Sequence, residues 1–159
     1  MSLKLIGGLI LTLLCTFLGT NYSKKYCGKR DFFSEAVSFG VHLKREISFT
    51  SASIEKICES FKTENEEFKK LLNSVTPFEK GIGELYLPAF ILPDEERCIK
   101  DYFSKFGKSS RINEAELAEM FVKEMEGYRE AEKIKCAKIV GTSTKFGFFI
   151  GAVIMVIIW

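Results

Sequence analysis

Histidine is nearly absent from the chain: His42 is the only one among 159 residues. That leaves no histidine-based metal set and little material for acid–base chemistry. Proline occurs three times, and no apolar alternation of strand length is bounded by turn residues, so no phosphate-cradling loop can follow a strand. An excess of one charge is missing too. The net charge of +2, from 23 basic and 21 acidic residues, excludes the field expected of a nucleic-acid binder. The five cysteines, Cys15, Cys27, Cys58, Cys98 and Cys136, form an odd set with no short spacing. This argues against both a disulfide framework and a zinc site. No cofactor and no nucleic acid is expected.

Apolar residues are plentiful, at 47%, and unevenly placed. No charge falls between Leu5 and Tyr22, and none between Phe146 and Trp159, whereas all 21 acidic residues lie from Asp31 to Glu132. A neutral, polar middle stands between two greasy ends. A bilayer-spanning helix needs about 20 residues, which residues 3–22 supply, with Tyr22 and Tyr26 as interfacial aromatics. Phe17 and Leu18 are bulky where a signal cleavage site wants small residues, so an uncleaved anchor is expected. Residues 139–159 form a second expected span. It is interrupted only by Lys145, whose stem can reach the headgroups, and Trp159 sits at the far interface.

Basic residues mark the inner flank of both spans: Lys24, Lys25, Lys29 and Arg30 after the first, Lys133, Lys135, Lys138 and Lys145 before the second. The positive-inside rule then places residues 23–138 in the cytoplasm and both termini outside the cell membrane. Cys58, Cys98 and Cys136 are expected there as small, reduced core residues.

The middle reads as helix throughout. Phe32, Phe33, Ala36, Val37, Phe39, Leu43 and Ile47 recur at helical spacing up to Phe49. Thr50 to Ser53 form a corner with capping side chains, and Ile54, Ile57, Cys58 and Phe61 share the next face. Thr63 and Glu66 have capping-box spacing before Phe68, Leu71, Leu72 and Val75, and Pro77 ends that helix. Residues 78–92 read as a short helix and a buried, irregular connection. Pro93 and Asp94 open a helix through Phe106, which Gly107 closes. Asn113 and Glu116 offer another cap, after which Leu117, Met120, Phe121, Met125 and Tyr128 start a helix with no breaker before Gly141. Running on through the second span, it would measure about 46 residues and roughly 70 Å. The expected fold is all-α: an antiparallel helical bundle whose long first and last helices continue into the N-terminal and C-terminal transmembrane spans. Small residues, Gly8, Thr12 and Thr16 on one span and Ser143, Gly147 and Gly151 on the other, are the expected packing positions.

Three stretches carry a family likeness. KLIGGLILTLLCTFLGTNYSKKY (Lys4 to Tyr26) is an opening anchor with a basic flank, and REISFTSASIEKICE (Arg45 to Glu59) is a corner before the second helix. An F-G-K turn (Phe106 to Lys108) then precedes a long charged helix containing EAEKIKCAKIVG (Glu130 to Gly141) and a glycine-bearing apolar tail. In order, spacing and total length the chain resembles the stage III sporulation protein AB family, relatives of the inner-membrane platforms of type II secretion and type IV pilus machines. The resemblance implies a role in the channel complex between mother cell and forespore, with the domain on the mother-cell side. It implies as partners a cytoplasmic secretion-type ATPase and other membrane subunits of that channel, besides the lipid bilayer. The helical domain would pass the motor's movement to the membrane subunits.

No enzyme is expected, because His42 stands alone and the paired glutamates read as solvated helix faces. For a partner surface the candidates are Arg45 and Glu46 at the corner away from the membrane and Arg111 at the other loop. A passive, self-assembling membrane hairpin, a homo-oligomer without motor contact, is the alternative.

Overall fold

The computed structural model describes residues 27–50, 53–81, 83–108 and 111–158, with Leu14 and Phe17 besides. Apart from those two residues, the expected first span with Gly8, Thr12 and Thr16 lies outside the described residues. Among the described residues there are five helices: α1 (Gly28–Phe49), α2 (Ile54–Ser60), α3 (Glu66–Glu79), α4 (Pro93–Lys105) and α5 (Arg111–Ile158). They fall into two compact units, Asp31–Arg129 and Met1–Arg30 with Glu130–Trp159.

The unit Asp31–Arg129 is built on phenylalanine. Phe32, Phe39, Phe68, Phe103, Phe106 and Phe121 are all nearly or wholly shut off from solvent. Their rings meet mostly edge to face, Phe32 on Phe68 at 5.4 Å and Phe103 on Phe121 at 6.0 Å, the arrangement that aromatic quadrupoles favour. α1 carries the expected apolar stripe, now with Gly40 in it. A Cβ on Gly40 would stand 2.6 Å from Val122 Cγ2 and 2.9 Å from Phe121 Cδ1, so the glycine lets α5 approach α1 closely. Phe33 against Tyr128 and Lys44 paired with Glu119 at 2.8 Å show these two helices antiparallel. α3 packs on α2 and α4.

Helix starts and stops depart from the expected ones in detail. Asn65, not Thr63, caps α3: its Oδ1 accepts the backbone N–H of Glu67 and of Phe68, each at 3.1 Å, while Thr63 Oγ1 accepts the N–H of Asn65. Ser53 precedes α2 with extended backbone and makes no side-chain cap. Pro77 lies inside α3, where the helix continues to Glu79; the proline supplies no N–H for the carbonyl four residues back, and the helix ends two residues later. α5 already begins at Arg111, so Asn113 is a helical residue and not a cap. Ala118, Phe121 and Met125 are buried in its first half, and Met120 is exposed. Pro93 and Gly107 behave as expected, Pro93 in the first turn of α4 and Gly107 in the left-handed region at φ 78°.

Residues 80–92 contain no helix among the described residues. This connection is held from both sides. Leu85 and Ile91 are buried, while the Tyr86 N–H donates to Ser74 Oγ at 2.8 Å and the Tyr86 hydroxyl donates to Glu67 Oε2 at 2.5 Å. At its end Glu95, a buried carboxylate, accepts the N–H of Leu92 at 2.9 Å and so starts α4.

The second unit departs most from expectation. Cys27 and Cys136 form a disulfide, with Cα atoms 5.5 Å apart and the two residues 109 positions apart in sequence. Cys136 is therefore not a core thiol, although Cys58 is buried and Cys98 half-buried as free cysteines. Spacing along the chain does not report the meeting of α1's start with a residue far along α5. Beside the bridge Arg30 Nη1 donates to Cys136 Sγ at 3.6 Å, and Lys29 pairs with Glu132 at 3.6 Å. α5 continues as helix to Ile158. Phe146, Phe149, Ile150 and Val153 are exposed along it at helical spacing. Among the described residues no helix is long and apolar enough to cross a membrane; most side chains of the expected second span, and Ser143, Gly147 and Gly151 with them, lie outside that description.

Candidate partner-binding site

The expected candidates fall on the ends of two helices, α1 and α5. Arg45 and Glu46 occupy the last turns of α1, and Arg111 is the first residue of α5, described by its backbone alone. Lys44, ion-paired with Glu119, sets α1 against α5 at this end.

Arg45 and Glu46 also have local work. Arg45 Nη2 donates to His42 Nδ1 at 3.0 Å, which leaves Nε2 as the ring's donor to Ser60 Oγ, also at 3.0 Å. Ser60 in turn donates to the Ile57 carbonyl at 3.0 Å. The single histidine is thus a link between α1 and α2, lying against Phe61. Glu46 takes the Thr50 hydroxyl on its side chain at 3.0 Å and on its carbonyl at 2.8 Å, closing the helix end.

The same two helix ends carry two exposed side chains that sequence reasoning missed. Phe49 is 82% exposed and Ile112 75% exposed, one on the last residue of α1 and one on the second of α5. The available signal was phase. The buried stripe of α1 runs through Leu43 and Ile47, and Phe49 falls off it. Large apolar side chains exposed next to charge are the composition of a protein contact rather than of a reaction site.

The chemistry nearby agrees. A cavity of about 150 Å³ opens between Ile47, Ile54 and Gly107, with Glu114 among its described walls. Next to it Glu79 is held above the usual carboxyl range, first by burial and then by the charge of Glu55. The Cys58 thiol is pushed up to about 12 by burial, and next by Glu79 and Glu59, so it is a poor nucleophile. Among the described residues no three His, Cys, Asp or Glu side chains are grouped to hold a metal ion. The arrangement offers exposed apolar side chains and charge for binding.

A family model matches residues 4–159, described as stage III sporulation protein AB. The chain belongs to the stage III sporulation protein AB family. Membership implies a role in sporulation, at stage III, and the family is not a known family of enzymes. No curated protein and no solved structure matches the chain. The stage III sporulation protein AB match runs over the Asp31–Arg129 unit and over both terminal segments.

Proposed function

We propose that this chain is a non-enzymatic membrane platform of the channel between mother cell and forespore, anchored by spans at residues 3–22 and 139–159. Its helical domain faces the mother-cell cytoplasm, both termini lie outside, and it couples a secretion-type ATPase to the other membrane subunits. The observation that carries the motor contact is the exposure of two large apolar side chains, Phe49 on the last residue of α1 and Ile112 on the second residue of α5. Family membership supports the setting, and the exposed apolar residues Phe146, Phe149, Ile150 and Val153 support contact of α5 with lipid or neighbouring spans.

The test is co-purification of the full chain, in detergent, with the secretion-type ATPase of the same channel, with and without nucleotide. Binding that depends on nucleotide and falls at least about tenfold in a Phe49→Glu, Ile112→Glu double variant is the expected result, since a buried apolar anchor is worth more than 1.4 kcal/mol. Replacing Arg45, Glu46 and Arg111 together should weaken it further. Self-association without any ATPase contact would instead identify a passive membrane hairpin.

A further inference from the structure

The Cys27–Cys136 bridge sits where a permanent staple is not expected. Both sulfurs are buried at 4% exposure, yet the helix around Cys136 is not: Lys133, Lys135, Ala137 and Lys138 are all exposed. Neither Cys27 nor Cys136 belongs to the core cluster that holds Cys58. Cys27 is a turn residue directly before α1, so fraying of one helix end uncovers its sulfur. Cys136 lies mid-helix, and its sulfur takes the Arg30 guanidinium at 3.6 Å. A guanidinium there stabilises negative charge on Cys136 Sγ and makes it the better leaving group. Disulfides in a reducing compartment are usually transient or regulatory.

We propose that Cys27–Cys136 is a modification site for dithiol–disulfide exchange, opened by a thioredoxin-class dithiol and closed again by a low-molecular-weight disulfide such as oxidised glutathione. Opening starts when a thiolate of the reductant attacks Cys27 Sγ. The Cys27–Cys136 bond breaks, the Cys136 sulfur leaves as thiolate beside Arg30, and a mixed disulfide to Cys27 forms. The reductant's second thiol then attacks its own mixed-disulfide sulfur, Cys27 leaves as thiolate and takes a proton, and the reductant ends as the disulfide. Two electrons have passed to this chain; the reductant's second thiol gives up the proton that Cys27 takes, and the proton its first thiol lost to solvent is taken up by the Cys136 thiolate when that sulfur is protonated. Closing reverses the traffic and releases two glutathione thiols. While closed, the bond ties the start of α1 to α5; once open, that tie is gone. The need for a reducing partner rests on the cytoplasmic placement of the domain in the proposed function.

The experiment uses the full chain in detergent, without denaturant. It is equilibrated over ratios of reduced to oxidised glutathione and tagged with a maleimide polymer under denaturing quench. The expected result is interconversion between three and five tagged cysteines, lost in Cys27→Ser and in Cys136→Ser and kept in Cys58→Ser and Cys98→Ser. A thioredoxin-class protein whose resolving cysteine is replaced by serine should be trapped on Cys27, as read by peptide mass spectrometry of the unaltered chain. Arg30→Gln should slow opening roughly fivefold. A bridge that never forms in the folded chain, one that opens only in denaturant, or trapping on Cys136 would each overturn the proposal. A separate arm labels a Ser48→Cys variant in intact sporulating cells with a membrane-impermeant maleimide. Labelling from outside would reject the cytoplasmic placement while leaving the exchange chemistry measured in detergent standing.

Discussion

Gly40 shows how much one missing Cβ decides. Gly→Ala in a helix interior ordinarily gains about 1 kcal/mol of propensity. Here the added methyl would meet Val122 Cγ2 at 2.6 Å, a distance that real contacts do not reach, and the ring of Phe121 blocks the other direction. Overpacking should outweigh propensity, so Gly40→Ala is expected to lose about 1–2 kcal/mol, measurable as a lower urea midpoint. Glu79 gives the second residue-scale prediction. Its folded pKa is raised, so the native state holds the proton more tightly than the unfolded chain does. Stability contributed by the protonated group is present below the ordinary carboxyl value and is lost as pH rises through the raised one. Glu79→Gln should therefore be more stable than the parent at pH 7, with the difference vanishing at pH values below the ordinary carboxyl range. Thermal melts across that range check the sign. Neither residue was legible beforehand. A glycine inside a helical stripe reads as a tolerated defect, and a glutamate near a helix end reads as solvated, until the neighbouring helix is in place.

Among the elements, periodicity was the reliable guide and side-chain spacing the unreliable one. The stripe of α1, the closure of α4 at Gly107 and the unbroken course of α5 all follow from apolar recurrence and the absence of breakers. Caps were misassigned where two local patterns competed. Thr63 and Glu66 have capping-box spacing, but Asn65 stands one place before the first helical residue and reaches two N–H groups. Asn65→Ala is accordingly expected to cost about 1 kcal/mol, and Thr63→Ala clearly less, since Thr63 only supports Asn65 itself. Equal losses in the two variants, compared by chemical denaturation, would contradict this account of the α3 start. Of the candidate contact surface, Arg45 and Glu46 were visible as corner charges. Phe49 and Ile112 were not, because exposure of an apolar residue depends on helix phase, which one residue of error at Met120 and Ala118 already scrambles.

For the whole molecule the unforeseen feature is the bridge. A cysteine pair 109 positions apart leaves no trace in linear spacing; only the meeting of the first and last helices reveals it. In the chain-entropy account, a cross-link closing a loop of that length removes denatured-state freedom worth about 4–5 kcal/mol. The oxidised full chain should unfold at clearly higher urea than the same protein in excess reductant, and a Cys27→Ser, Cys136→Ser double variant should match the reduced protein whatever the buffer. An unchanged midpoint on reduction would mean that the bond closes a loop already compact when unfolded.

The nearness of Cys27 and Cys136 also gives the domain a single point of attachment. Their Cα atoms are 5.5 Å apart, a gap that one or two peptide units of about 3.8 Å each can cross. Everything from Gly28 to Lys135 therefore enters and leaves through one doorway, as an inserted cassette does. Joining the two sides of that doorway by peptide and opening the chain instead at the exposed Gly81 would yield a ring-shaped precursor's permuted form, with the terminal segments removed and the phenylalanine core untouched.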